Sequence, residues 1–116
     1  MASNTLFFAW NRPIPGRERL SQAHFTDMNG YLTGLRNEGA IDGYETVLLD
    51  VHGGDLNGFF LIRGEPGKLD ALQGSEAWQH HMTRATLHLL GAGAVRGVSG
   101  AAIGERMARW ASLLPD

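Results

Sequence analysis

Cysteine is absent from this chain. Without thiols there is no disulfide framework, no thiol nucleophile and no cysteine-ligated metal site, and the absence fits a reducing cytoplasm. Long hydrophobic runs are missing too. No stretch approaches the ~18 apolar residues of a membrane span, and the segment from Met1 to Arg17 has no basic region ahead of its short apolar run. These absences predict a cytoplasmic protein, neither secreted nor membrane-spanning. Nor is there an excess of one charge: 10 Lys and Arg stand against 12 Asp and Glu, for a formal net charge of −2. The cations are scattered, so no basic stripe offers itself to a phosphate backbone, and nucleic acid is disfavoured as a partner. Internal repeats and low-complexity segments are likewise missing.

What remains is an ordinary globular composition, 43% hydrophobic and 19% charged over 116 residues, enough for one domain with a buried core. The centre of the chain, Ile41 to Gly64, holds two apolar β-rich runs around the turn-forming cluster His52-Gly53-Gly54-Asp55, and reads as a β-hairpin. Val47, Leu49 and Val51 alternate with Tyr44, Thr46, Leu48 and Asp50 in its first strand; Phe59 and Leu61 alternate with Phe60 and Ile62 in its second. Upstream, Thr5 to Asn11 reads as a strand with Phe7 and Ala9 on one face and Leu6, Phe8 and Trp10 on the other. Arg12 to Gly16, with two prolines and a glycine, reads as a loop. Phe25, Met28, Leu32 and Leu35 recur at helical spacing between about Arg19 and Asn37, and Gly39 suits the C-cap.

After the hairpin, Glu65-Pro66-Gly67 opens a short turn of helix carrying Leu69 and Leu72. Ser75 is placed to cap a longer helix bearing Trp78, His81, Met82 and Ala85. Thr86 to Val98 reads as a fourth strand with glycine bends. Beyond Gly100, Ile103, Met107, Trp110 and Leu114 define a final amphipathic helix that Pro115 ends. The expectation is a single domain over 1–116: a β-α-β-β-α-β, ferredoxin-like α+β core over about 5–98 and a C-terminal helix over about 100–114. Helices cover one face of such a sheet, yet these strands are apolar on both faces. A second copy packed sheet to sheet would bury the other, which predicts a homodimer.

In element order and two-faced strands the chain resembles the dimeric α+β-barrel superfamily, over roughly Thr5 to Val98. The stretches Leu6-Phe7-Phe8-Ala9-Trp10-Asn11-Arg12-Pro13 and His52-Gly53-Gly54-Asp55-Leu56-Asn57-Gly58-Phe59-Phe60 resemble parts of a small bacterial group of that superfamily with no established activity. The superfamily includes oxygenases without metals, haem-degrading enzymes, dehalogenases and lactone isomerases. The resemblance implies a small organic ligand bound between sheet and helices, and chemistry that fold alone does not choose.

Five histidines are the natural candidates for proton transfer: His24, His52, His80, His81 and His88. His81 shares a helical face with Trp78 and Met82, where it reads either as a pocket group or as a hydrogen-bonded core residue. His88, placed in the fourth strand, is set to look into the barrel. His24 flanks the apolar stripe of the first helix as a boundary residue, His80 faces solvent, and His52 lies in the hairpin turn. If the protein is an enzyme, His88 or His81 is the expected base, Asn11 and Tyr44 polar positioners, Trp78 a substrate-binding wall, and Arg63 the holder of an anionic group. Arg96 is an alternative anion holder or a solvated strand-end residue.

No His-Glu-x-x-His or His-x-His spacing supports zinc, and the expected chemistry needs no cofactor. Haem is a variant, since some haem-degrading relatives use an asparagine, a tryptophan and a histidine, types found here in Asn11, Trp78 and His81. Gly91-Ala92-Gly93-Ala94-Val95-Arg96-Gly97 follows a helix and lacks the third glycine of a dinucleotide loop. Two other classes stand beside the enzyme: a non-catalytic structural or regulatory dimer, and an RNA-binding module of the same element order, with Asn57 to Ile62 and Leu6 to Asn11 as its stacking strands.

Overall fold

A computed structural model describes residues 2–115. Ten elements follow in order: β1 Thr5–Trp10, β2 Arg12–Pro13, α1 Glu18–Glu38, β3 Gly43–Leu48, β4 Gly58–Arg63, α2 Pro66–Gly74, α3 Glu76–Thr86, β5 Leu89–Leu90, β6 Gly93–Gly97 and α4 Ala102–Ser112. The main sheet is antiparallel throughout, in the order β3-β4-β1-β6, the arrangement compatible with a ferredoxin-like fold. Phe8 sits opposite Phe60 and Ala94, and Thr46 sits opposite Phe60.

Alternation decides which residues meet the helices. Leu6 and Phe8 of β1 and Phe60 and Ile62 of β4 are buried against Met28 and Leu32 of α1 and Leu69, Leu72, Trp78 and Ala85 of α2 and α3. Gly39 closes α1 in the left-handed region at φ 79°, its N–H directed at the carbonyls of Arg36 and Leu35. Ser75 caps α3 by accepting from the Trp78 N–H at 3.2 Å.

Three readings of the strands and their connections change. The expected fourth strand splits: Thr86 ends α3, Leu87 and His88 form a turn, β5 pairs with β2, and only β6 joins the main sheet. The expected loop at Arg12 to Gly16 thus begins as a two-residue strand, against which Ile14 N–H donates to His88 O at 2.8 Å. The hairpin runs over a longer tip than a tight turn. Its ladder ends at Leu48 and Gly58, Leu49 N–H donates to Asn57 O, and the His52 ring braces the tip. Nδ1 of His52 accepts from Gly54 N–H at 2.9 Å, which leaves the Nε2–H to donate to Leu56 O at 2.8 Å. His52 is therefore a backbone clamp.

Two apolar surfaces are left uncovered by the described residues. On the sheet face away from the helices, Phe7 and Phe59 touch at 4.9 Å between ring centroids, beside Leu61, Val47 and a Val95 that is 61% exposed. None of the described residues of α4 is buried. Its Ile103, Met107 and Trp110 stand exposed, as does Leu114 just beyond it, and the radius of gyration is 15.9 Å, against about 13 Å for a compact chain of this length.

Candidate functional site

The first helix presents Ser21, His24, Phe25 and Met28 toward the sheet, at spacings of three, one and three. Facing them is the α3–β5 turn. There His88 N–H donates to Ala85 O at 3.2 Å and His88 O accepts from Ile14 N–H, so both sides of the peptide are tied and the ring is aimed at α1. The result is a string of four polar side chains joined by hydrogen bonds. Ser21 Oγ lies 2.7 Å from His88 Nδ1, His88 Nε2 lies 2.7 Å from His24 Nδ1, and His24 Nε2 lies 3.0 Å from His81 Nδ1. His24 and His88 are buried, His81 half-buried. The His24 and His81 rings lie nearly coplanar and edge to edge, 5.2 Å between centroids at 6°, while His88 meets His24 edge-on at 81°, and Tyr31 covers His81 at 4.5 Å.

Burial sets the electrostatics. Desolvation, reinforced by the Arg84 guanidinium and the neighbouring rings and opposed by Asp27, pulls His24 down from the usual imidazole value to about 4. His81 is lowered by desolvation, then by His80 and Arg84, and His88 by desolvation, then Arg84. All three rings are thus held toward the neutral form, with lone pairs and N–H groups rather than charge to offer.

Ser21, His24 and His88 open onto a cavity of about 310 Å³ whose other walls are apolar: Phe8, Trp10, Phe25, Met28, Phe60 and Leu89. Glu18, Gln22 and Leu48, all exposed, stand at its mouth. Trp10 holds its place because Gly58 lies beneath it; a Cβ there would fall 2.6 Å from the indole.

Of the residues singled out from the sequence, His88 and His81 belong to one string, with His24 as the link between them. The remaining four lie elsewhere. Asn11 accepts from Asn57 Nδ2 at 2.9 Å and ties β1 to the hairpin tip. The Tyr44 hydroxyl lies 2.7 Å from Thr33 Oγ1 and donates to Asn29 O at 3.2 Å, joining β3 to α1. Arg63 pairs with Glu45 at 2.8 Å on the uncovered sheet face. Trp78 is packed in the core against Phe8. Arg96 binds Asp70, Gln73, Ser3 O and Pro66 O, which makes it a clamp between β6 and α2 rather than an anion holder. Of the Asn11, Trp78 and His81 set named for haem, Asn11 is tied to the hairpin tip, Trp78 is packed in the core and His81 belongs to the string, and among the described residues no group of three His, Asp or Glu is disposed to hold a metal ion.

Sequence reasoning missed Ser21 and took His24 for a boundary residue. The signal was present in the polar pair at i and i+3 inside the apolar stripe of α1, with Tyr31 seven residues beyond His24. No protein-family model matches the chain, and no curated protein matches it.

Proposed function

We propose that the protein binds a small, partly apolar organic molecule in the cavity between sheet and helices and exchanges a proton with it through His88, working as a homodimer. One observation carries this reading: Ser21, His24 and His88 come together in the lining of a cavity of about 310 Å³ whose inner wall is otherwise aromatic and aliphatic, with Glu18 and Gln22 at its mouth. Ligand sites have this make-up, an apolar lining that supplies affinity and a few fixed polar groups that set orientation. A neutral, desolvated imidazole is also the right form for a general base acting through Ser21, whose Oγ lies 2.7 Å from His88 Nδ1 and can pass its hydroxyl proton to that nitrogen as it takes one from the ligand. Chemistry of this kind, proton abstraction in an isomerisation or ahead of oxygenation, runs without a cofactor.

The homodimer rests on the uncovered sheet face. Phe7, Phe59, Leu61, Val47 and Val95 form an apolar surface of the sort a second sheet buries. The same two phenylalanines sit on adjacent central strands, as base-stacking aromatics do in RNA-recognition domains, but their same-face neighbours are Leu61, Val47 and Val95, and Arg63 on that face is paired with Glu45. That composition favours a protein partner.

The test is a titration with 2-naphthol, a flat apolar molecule with one weakly acidic hydroxyl, followed through tryptophan fluorescence. Saturable binding that Gln22→Trp, at the cavity mouth, weakens by about tenfold supports the reading, a loss of roughly 1.4 kcal/mol. Binding that this substitution leaves unchanged, or no saturable binding, overturns it.

A further inference from the structure

We infer that Ser21, His88, His24 and His81 form a proton relay, which carries a proton between the cavity and the outer side of the helical layer in a single concerted shift. The inference deepens the ligand-binding reading and rests on it for the identity of the cavity end. Its geometric core is the continuity of the three contacts, 2.7, 2.7 and 3.0 Å, each between atoms that both donate and accept according to tautomer.

A neutral imidazole carries one N–H, and this fixes the string. If His24 Nδ1–H donates to His88 Nε2, then His88 keeps its hydrogen on Nδ1 and donates it to Ser21 Oγ. His24 Nε2 is then bare and accepts from His81 Nδ1–H. The opposite arrangement starts from the Ser21 hydroxyl donating to His88 Nδ1 and runs to an Nε2–H on all three rings. Both inter-ring bonds can be made by neutral rings only when the three share one tautomer. Two strings exist, one the mirror of the other in direction.

Passing between them moves one proton end to end. From the all-Nδ1–H string, His81 Nε2 takes a proton from a solvent acid, hydronium or a protonated buffer, which departs as its conjugate base. The Nδ1 proton of His81 then passes to His24 Nε2, that of His24 to His88 Nε2, and that of His88 to Ser21 Oγ. The serine releases its original hydroxyl proton to a basic atom of the ligand. One proton enters, one leaves, and the string ends as all-Nε2–H with no net charge on any ring. Run backwards, the same shift lets Ser21 and His88 remove a proton from a ligand and discharge it at His81. Burial assists, because a relay of neutral groups avoids lodging a lone cation beside His24.

The surroundings suit the direction of travel. His81 is the least buried of the three rings and has the exposed His80 ring 6.1 Å away, while Tyr31 shields its face. Arg84 and Asp27, ion-paired at 2.8 Å across α3 and α1, are the charges facing the rings, and Glu18 is the carboxylate at the cavity mouth. A relay also accounts for a feature that plain packing leaves idle: three imidazoles drawn from α1, α3 and the α3–β5 turn aligned nitrogen to nitrogen.

The experiment is nitrogen-detected NMR on the histidine-labelled full chain at neutral pH, without ligand. Expected are scalar couplings across the His24–His88 and His24–His81 hydrogen bonds, and the same N–H position, or the same average of the two, on all three rings. In Ser21→Ala, the lost hydroxyl leaves His88 Nδ1 better unpaired as an acceptor than as a donor. All three rings, His81 at the far end included, are expected to turn to Nε2–H. Rings of differing tautomer, an absent coupling on either side of His24, or a Ser21→Ala change confined to His88 overturns the relay. The naphthol titration keeps the two readings apart. Binding with mixed tautomers removes the relay and leaves the pocket; uniform tautomers without binding remove the pocket and leave the string.

Discussion

The Nδ1 atom of His24 lies 2.7 Å from the Nε2 atom of His88, with the two ring planes at 81°. Residues 64 positions apart are thereby joined by a buried hydrogen bond, and each ring uses its second nitrogen on a further partner. A buried imidazole with both nitrogens engaged is fully satisfied, which is the condition under which a polar group can sit beside Phe8, Met28 and Phe60 without a large desolvation cost.

Removing the central ring leaves both neighbours unpaired. His24→Leu is expected to destabilise the protein by about 2 kcal/mol, the desolvation cost of orphaned polar atoms, whereas His80→Ala, at an exposed ring, stays within about 0.5 kcal/mol. Urea denaturation of both variants measures the contrast, and equal midpoints would contradict a satisfied buried string.

Acid should weaken the fold through the same residue. The folded protein holds His24 at about 4, below its unfolded value near 6.5. The unfolded state therefore binds the proton first, and the stability contributed by neutral His24 is fully present above pH 6.5 and lost as the pH falls toward 4. His81 and His88, lowered in the same direction, add to the loss. Thermal unfolding should show the melting temperature falling across this window by about 4 °C or more for each kcal/mol lost, and the slope should flatten in His24→Leu.

Much of the scaffold is legible in the sequence because its elements announce themselves locally. The alternation of Leu6, Phe8 and Trp10 with Phe7 and Ala9 fixes β1, and Gly39 marks the end of α1. The α2 helix was read as a single turn, since Gly67 and Gly74 thin its pattern, yet it runs the nine residues Pro66–Gly74. Thr86 to Val98 misleads for a different reason: Leu87, Leu89 and Leu90 look strand-like, but the chain needs a turn at 87–88 to bring β5 under β2. That turn is what aims His88 at α1. The site depends on contacts spanning 57, 64 and 67 positions, which no local period encodes. The histidines were visible as types, and their order along a string was not.

Gly58 gives a test of the cavity wall. A methyl group there would fall 2.6 Å from the Trp10 ring, so Gly58→Ala must displace the indole. The expected cost is about 1–3 kcal/mol, as for overpacking, accompanied by a shift in tryptophan emission and weaker naphthol binding. Gly30→Ala, where a Cβ meets nothing within 4 Å on α1, is the matched control and is expected to be neutral or slightly stabilising. Equal emission spectra in the two variants would show that Trp10 does not rest on Gly58.

The uncovered sheet face makes the sharpest prediction about assembly. Val95 is 61% exposed in the protomer, so Val95→Lys should leave the folding of one chain almost untouched. In a sheet-to-sheet dimer the same lysine is driven into an apolar interface, where an unpaired charge costs about 3 kcal/mol, roughly a hundredfold in dimer Kd. Trp110→Ala on α4, 60% exposed, reports whether that helix joins the interface, through a smaller change in the same equilibrium. Light scattering with size-exclusion chromatography reads all three proteins. A wild-type chain that stays monomeric at micromolar concentration would sink the dimer and return Phe7 and Phe59 to the alternative of stacking nucleic-acid bases, for which salt-sensitive RNA retention is the readout. A dimer that Val95→Lys splits without lowering the protomer's urea midpoint would place the partner on this face.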